Sequence, residues 1–218
     1  MVVLLVIAGV VILLLVLKSP SKARPATGSA GALPGVSSGW VIGPVVRGVN
    51  HSIGMPDRPS ITQGDGWMIQ FPGALGKVDY VQNFNPPVLQ AGKKLVMRFV
   101  VTGGGFVAYE FPDRQALVSL QFQRRGDNWS GTGIMQSYRW YSRQMIPLVA
   151  GEFTLTVPLV LDSWGDVQGQ SDNQAAFDDA LGDLANLAVV FGHSSGAGHG
   201  VYASQPSTFT LLGITQEG

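Results

Sequence analysis

Arginines, aromatic rings and carboxylates crowd one stretch of this chain, Val118 to Arg143. Trp129, Tyr138, Trp140 and Tyr141 lie close in sequence to Arg124, Arg125, Arg139 and Arg143, with Asp127 among them and Glu110 a few residues upstream. Flat apolar platforms beside fork-shaped donors are the groups that hold a sugar. A pyranose ring has an apolar face that stacks and hydroxyls that need directed hydrogen bonds. The expected ligand-binding set is therefore Trp129, Tyr138, Trp140 and Trp164 as platforms, with Arg124, Arg139, Glu110 and Asp127 as polar partners. Against this stands the general use of aromatic rings as core, because they bury large areas.

Other chemistry is weaker. Gly192-His193-Ser194-Ser195-Gly196 matches the Gly-x-Ser-x-Gly string of serine hydrolases. A nucleophile elbow opens a helix and is followed by an acid and then a histidine. Here Ala197-Gly198-His199-Gly200 is too glycine-rich for a helix, and Glu217 is the only carboxylate side chain after Ser194. His193 and His199 on a glycine loop, with His51 remote in sequence, do not make a metal site. Glycoside hydrolysis needs two carboxyl groups facing one cleft. Glu110 with Asp127 or with Asp113 are the imaginable pairs, and spacing alone does not bring them together. Arg125-Gly126-Asp127 and Asn128-Trp129-Ser130 spell an adhesion tripeptide and a glycosylation sequon, but strings this short arise by chance and describe a polar turn.

The elements that must position these groups read as strands. Val118, Leu120 and Phe122 alternate with Ser119, Gln121 and Gln123, and Gly126-Asp127-Asn128 supplies turn chemistry, so the stretch is expected to be a hairpin. Leu95, Met97, Phe99 and Val101 share one face of a strand, and Phe153, Leu155, Val157 and Leu159 share another. Trp40 to Val46, Gly66 to Phe71, Lys77 to Phe84, Val107 to Phe111, Leu187 to Phe191 and Thr208 to Ile214 read as further strands. Asn50 to Asp65 and Asp162 to Gln170 read as loops. In Lys77 to Phe84, Val78, Tyr80, Gln82 and Phe84 form one alternating set. One helix is expected after a cap at Ser171 or Asp172, with Phe177, Ala180, Leu181 and Leu184 on one stripe and Asp178, Asp179 and Asp183 outward. Many short strands with one late helix indicate an all-β jelly-roll β-sandwich.

Composition bounds the rest. The chain has 218 residues with Lys+Arg and Asp+Glu at 14 each, and charged residues are only 13%, so nothing offers the basic footprint of a nucleic-acid binder. Glycine (29) and proline (13) are abundant, which suits an all-β protein with many turns. With no cysteine, disulfides and thiol chemistry are excluded. Residues 2–17 are apolar apart from Gly9 and would span roughly 24 Å as a helix. They have no preceding basic residue and no nearby small-x-small site, so residues 1–17 are expected to be an uncleaved transmembrane anchor rather than a cleaved signal. Residues 18–38 form a flexible linker rich in Ser, Pro, Gly and Ala, and residues 39–218 the sandwich domain. Lys18, Lys22 and Arg24 follow the span and argue for a cytoplasmic domain. The aromatic face argues for an extracytoplasmic one, which is the placement expected here.

The pattern resembles the galactose-binding-like jelly rolls that serve as bacterial carbohydrate-binding modules. The matching features are Tyr80 to Gly92 leading into a strand that ends Val101-Thr102-Gly103, the Arg125-Gly126-Asp127-Asn128-Trp129-Ser130-Gly131 hairpin, and Val157-Pro158-Leu159 followed by Trp164. Phe191-Gly192 then leads through Gly198-His199-Gly200-Val201-Tyr202 into the last strand. The resemblance covers roughly residues 65 to 215 and is one of fold pattern. It implies a non-catalytic domain that binds glycan or polysaccharide, often with a structural calcium ion. The densest acidic cluster, Asp162, Asp166, Asp172 and Asn173, lacks the spacing of a calcium loop, so no metal or cofactor is expected. The resulting expectation is a membrane-tethered carbohydrate-binding sandwich at a bacterial or phage surface. The alternative is a structural protein of a membrane-containing virion or cell envelope, in which low net charge and exposed aromatics serve self-association. An enzyme, glycosidase or lyase, is a third reading that two carboxyl groups in one cleft would favour.

Overall fold

The computed structural model describes residues 39–62 and 66–218, so the expected anchor (1–17) and linker (18–38) lie outside the described residues. In chain order the strands are β1 (Trp40–Gly43), β2 (Val45–Val46), β3 (Val49–Asn50), β4 (Ser60–Ile61), β5 (Trp67–Gln70), β6 (Tyr80–Asn83), β7 (Lys94–Thr102), β8 (Phe106–Ala108), β9 (Leu117–Arg124), β10 (Arg139–Ser142), β11 (Ile146–Pro147), β12 (Gly151–Pro158) and β13 (Trp164–Gly165). Helix α1 (Gln174–Gly182) follows, then β14 (Leu184–Gly192), β15 (Val201–Ala203) and β16 (Thr208–Glu217).

Two antiparallel sheets pack face to face. The larger has seven strands in the order β1-β6-β14-β9-β10-β13, with β11 also on β9, and the smaller has the order β12-β7-β16-β5-β4. Period-two alternation decides which side chains meet between them. Leu95, Met97, Phe99 and Val101 of β7 point inward, as do Val118, Leu120 and Phe122 of β9, and all are buried. Aromatic pairs tie the layers: Trp40 of β1 lies 5.4 Å from Trp67 of β5, and Phe191 of β14 lies 5.3 Å from Phe209 of β16. Phe177 of α1 closes one end of the core, 5.5 Å from Phe122 and 5.2 Å from Trp140.

The structure moves several boundaries. The helix cap is Asn173, whose side chain accepts from the Ala176 backbone, one residue beyond the expected cap, and Leu184 begins β14 rather than ending the helical stripe. Both stretches read as loops hold short strands, β4 and the last residue of β3 in the first and β13 in the second. The expected set Val78, Tyr80, Gln82 and Phe84 is split. Val78 and Val81 face the core, Tyr80 packs with Ala188 and Val190 on the opposite face, and Phe84 is exposed. The hairpin exists, since Arg139, Trp140 and Tyr141 pair with Gln123, Phe122 and Gln121, but β10 starts only at Arg139. Residues 125–138 make a long connection that lies over the outer face of the larger sheet, instead of a tight turn at Gly126-Asp127-Asn128.

Candidate functional site

The outer face of the larger sheet should be wet by the alternation rule, yet its polar side chains are buried. Gln82 is 2% exposed, Gln121 0%, Gln123 4% and Asn186 1%. Strand register lines up Gln82 of β6, Ala188 of β14, Gln121 of β9 and Tyr141 of β10 in one row. Tyr80, Ala188 and Val190 form a small apolar cluster here, with Trp129 and Ala197 packed on it from the connections 125–138 and 192–200. Beside this cover lies a groove of about 870 Å³, into which residues near β2 and β6, Glu110, Trp129, three residues of β10 and the segments 165–169 and 194–199 contribute, Lys77, Asp79, Tyr80, Arg139 and Tyr141 among them.

Trp129 is the groove's aromatic platform, and a buried network fixes it. The Asp127 side chain, fully out of solvent, accepts from the Trp129 backbone N–H at 2.9 Å through Oδ1 and from Gln123 Nε2 at 2.7 Å through Oδ2. Asn186 donates in turn to Gln123 Oε1. Arg139 brings Nε to 2.7 Å from Asp127 Oδ2, a charge contact whose N–H does not point along the hydrogen-bond line. Its guanidinium carbon sits 4.6 Å from the Trp129 ring centroid. The Trp129 and Tyr80 rings lie 5.7 Å apart, perpendicular to one another at 88°. Trp129 also adopts φ 65°, a left-handed conformation that a bulky residue adopts only where its surroundings fix it.

Proton-carrying groups gather in the same groove. The Tyr80 and Tyr141 hydroxyls lie 2.9 Å apart, and burial pushes both phenols above their ordinary range, so both stay protonated at neutral pH. Lys77 Nζ is 2.9 Å from Asp79 Oδ2, and both side chains are buried. Burial pushes the Asp79 carboxyl up to about 6, against the opposing pull of Lys77. Asp79 Oδ1 has no hydrogen-bond partner. His199 Nδ1 lies 2.7 Å from Glu110 Oε2 at the groove's exposed rim. Glycine lets these groups approach: Gly198 at φ 80° leaves no room for a Cβ beside the Tyr80 hydroxyl, and Gly200 at φ 92° leaves none beside Asp79.

The expected site residues divide. Trp129, Arg139 and Glu110 line the groove, and Asp127 lies beneath it as their brace. Trp140 (1% exposed) and Trp164 (0%) are core, which overturns their role as stacking platforms. The register explains Trp140, because it pairs with the inward-facing Phe122. Trp164 packs 4.8 Å from Phe122, and its indole N–H donates to the Pro158 carbonyl at 2.8 Å. Arg124 and Tyr138 are not in the groove lining: Arg124 reaches Asp179 and Asp183 beside α1 and lies 5.0 Å over the Tyr138 ring. Lys77, Asp79, Tyr80 and Tyr141 were not anticipated. The position of Tyr141 within the aromatic- and arginine-rich stretch was the available clue for one of them, and nothing local marks Asp79.

The Gly-x-Ser-x-Gly string forms a tight turn in which His193 bridges Gly196, with no helix behind it. Burial lowers the His193 imidazole below its ordinary range and keeps it neutral at pH 7. Among the described residues no group of three or more His, Asp or Glu side chains is placed to hold a metal ion, and no helix is long and apolar enough to cross a membrane. No protein-family model matches the chain, and no curated protein matches it.

Proposed function

We propose that the protein binds carbohydrate in the groove on the outer face of its larger sheet, as a jelly roll of the galactose-binding-like kind tethered at a bacterial or phage surface through residues 2–17. The observation that carries this reading is Trp129. It is a half-buried indole held over Arg139 by a buried Asp127–Gln123–Asn186 network, beside a groove of about 870 Å³ lined with hydroxyl, amide and charged groups. A sugar ring stacked against Trp129 would find donors and acceptors in Tyr80, Tyr141 and Gln168. The affinity of one such site is modest, because hydroxyls exchange water bonds for protein bonds at small net gain, and many tethered copies would compensate.

The test is a titration of the full chain with a panel of soluble polysaccharides, followed by tryptophan fluorescence. Four of the five tryptophans are core, so any ligand-induced change comes from Trp129. Trp129→Ala should remove the signal and weaken binding about tenfold, the upper end of what one aromatic contact is worth. Binding that survives Trp129→Ala unchanged would refute the site.

The envelope-protein reading is favoured by a different fact: Trp40, Trp67, Trp140 and Trp164 all pack inward, and Val45 and Val49 stand exposed on one small hairpin. It gives no use to the polar groove. A glycan array separates the two readings.

A further inference from the structure

Three arginine and lysine side chains line the groove, Lys77, Arg139 and Arg143, and two of them are matched by carboxylates. Lys77 lies 2.9 Å from Asp79, and Arg139 lies 2.7 Å from Asp127. Arg143 differs. Every hydrogen-bond partner of its side chain among the described residues is neutral: Nε donates to the Trp164 carbonyl at 3.2 Å, and Nη2 donates to the Gly169 carbonyl and the Ser171 hydroxyl, each at 2.9 Å. A guanidinium carries five N–H donors, and these contacts use three. Both donors on Nη1 remain for a ligand.

The acids of the lining do not supply the missing counter-charge. Asp79 is engaged by Lys77, Glu110 by His199, and Asp166 Oδ1 accepts from the backbone N–H groups of Gln168 and Gln170 at 2.8 and 2.9 Å. The three bonds of Arg143 also fix the guanidinium in place, so a ligand need not order a long flexible side chain as it binds. The turn they hold is joined to the connection that carries Trp129. Val167 N–H donates to the Gln136 carbonyl at 3.0 Å, and Gln168 Nε2 donates to the Gly131 carbonyl at 3.4 Å. A fixed cation and an aromatic platform therefore border one groove on walls that are bonded to each other.

We infer that the glycan taken by this groove is acidic, its sugars carrying a carboxylate or a sulfate, and that Arg143 binds the negative group through Nη1. This rests on the reading of the groove as a glycan site. A hydrogen bond from a guanidinium to an anionic oxygen is roughly twice as strong as one between neutral groups. A neutral hydroxyl would only replace water on Nη1, at small net gain. Arg143 is exposed, so its contribution is screened by salt.

The experiment titrates the full chain with polyuronates, with sulfated polysaccharides and with neutral glucans, xylans and galactans, at low and high salt. The expected result is tighter binding of an acidic chain, weakened by salt, and the first two arms identify which acid is read. Arg143→Gln should weaken acidic binding about tenfold and remove its salt dependence, leaving any neutral binding and the thermal unfolding midpoint close to wild type. Arg143→Lys keeps the charge and should retain the preference for acidic chains. A purely structural arginine that pins residues 165–171 would give a different pattern: Arg143→Gln would weaken acidic and neutral binding alike, or Arg143→Lys would lose the preference, and either result overturns the inference. Preference for neutral chains overturns it and leaves the glycan groove standing. Acidic binding that is indifferent to Trp129→Ala places the site elsewhere and overturns both, as does binding to no polysaccharide.

Discussion

Asp79→Asn makes a prediction about stability that does not depend on any ligand. The wild-type carboxyl titrates at an ordinary value of 3.8 when unfolded and at about 6 when folded, because burial disfavours its charged form more than Lys77 favours it. A folded value above the unfolded one means that the native state binds the proton more tightly. The stabilising contribution is therefore complete below about pH 3.8 and is lost as pH rises through about 6. A shift of a little over two units corresponds to about 3 kcal/mol. Asn cannot ionise and is nearly isosteric with the protonated acid, so the two proteins should be close in stability near pH 4. By pH 8 the variant should have gained about 3 kcal/mol relative to wild type. Urea unfolding of both proteins at a series of pH values measures this, and Glu110, His199 and the remaining carboxyl groups largely cancel in the difference. A difference that stays constant with pH, or grows in the opposite direction, refutes the assignment of Asp79 as a carboxyl held protonated by burial.

Three further substitutions test the packing around the site. Trp140→Ala removes a buried indole packed edge-to-face with Phe177 and should cost about 3–5 kcal/mol, read as a fall in the denaturation midpoint. Asn173→Ala removes the α1 cap and should cost about 1 kcal/mol with unchanged groove properties, measured by urea unfolding together with the Trp129 fluorescence response. Arg139→Ala leaves Asp127 buried without its counter-charge and should destabilise by about 3–5 kcal/mol, with increased quenching of Trp129 by iodide as its support is withdrawn.

What could be read from the sequence was what alternation alone decides. The inward faces of β7 and β9 and the apolar stripe of α1 follow from local periodicity, and so does the antiparallel β-sandwich that these elements build. The burial of the polar side of β9 could not be read. Ser119, Gln121 and Gln123 look like a solvated face, and they are buried because residues 125–138 and 192–200 fold back across them, an arrangement that no short window contains. Trp140 was misplaced for a related reason. Alternation puts it opposite Arg139 and Tyr141, but only its register with Phe122 says which of the two faces is the core. Glu110, Trp129 and Arg139 were legible as chemistry-bearing residues. Lys77 and Asp79 were not, since they meet Glu110 and His199 through the bridge from Val78 to Val201 and the pairing of β15 with β8.

The polar face has an energetic meaning beyond this failure of the simple rule. Gln121 is fully buried with neither amide atom hydrogen-bonded, and Gln82 Nε2, Asp79 Oδ1 and Asn186 Oδ1 are also without partners. Each such group costs on the order of 1–3 kcal/mol relative to one that is satisfied by protein or water. Apolar side chains at the same positions would carry no such cost, as Val118, Leu120 and Phe122 carry none on the inward face of the same strand. Selection for stability alone would not retain amides and a carboxyl beneath an indole and two phenols. The pattern is explained if this face is shaped for a polar occupant, whose hydroxyls and ordered water complete the missing hydrogen bonds where the groove reaches them. One strand then serves two ends: its inward residues hold the layers together, and its outward residues support a site whose cost the apolar core carries.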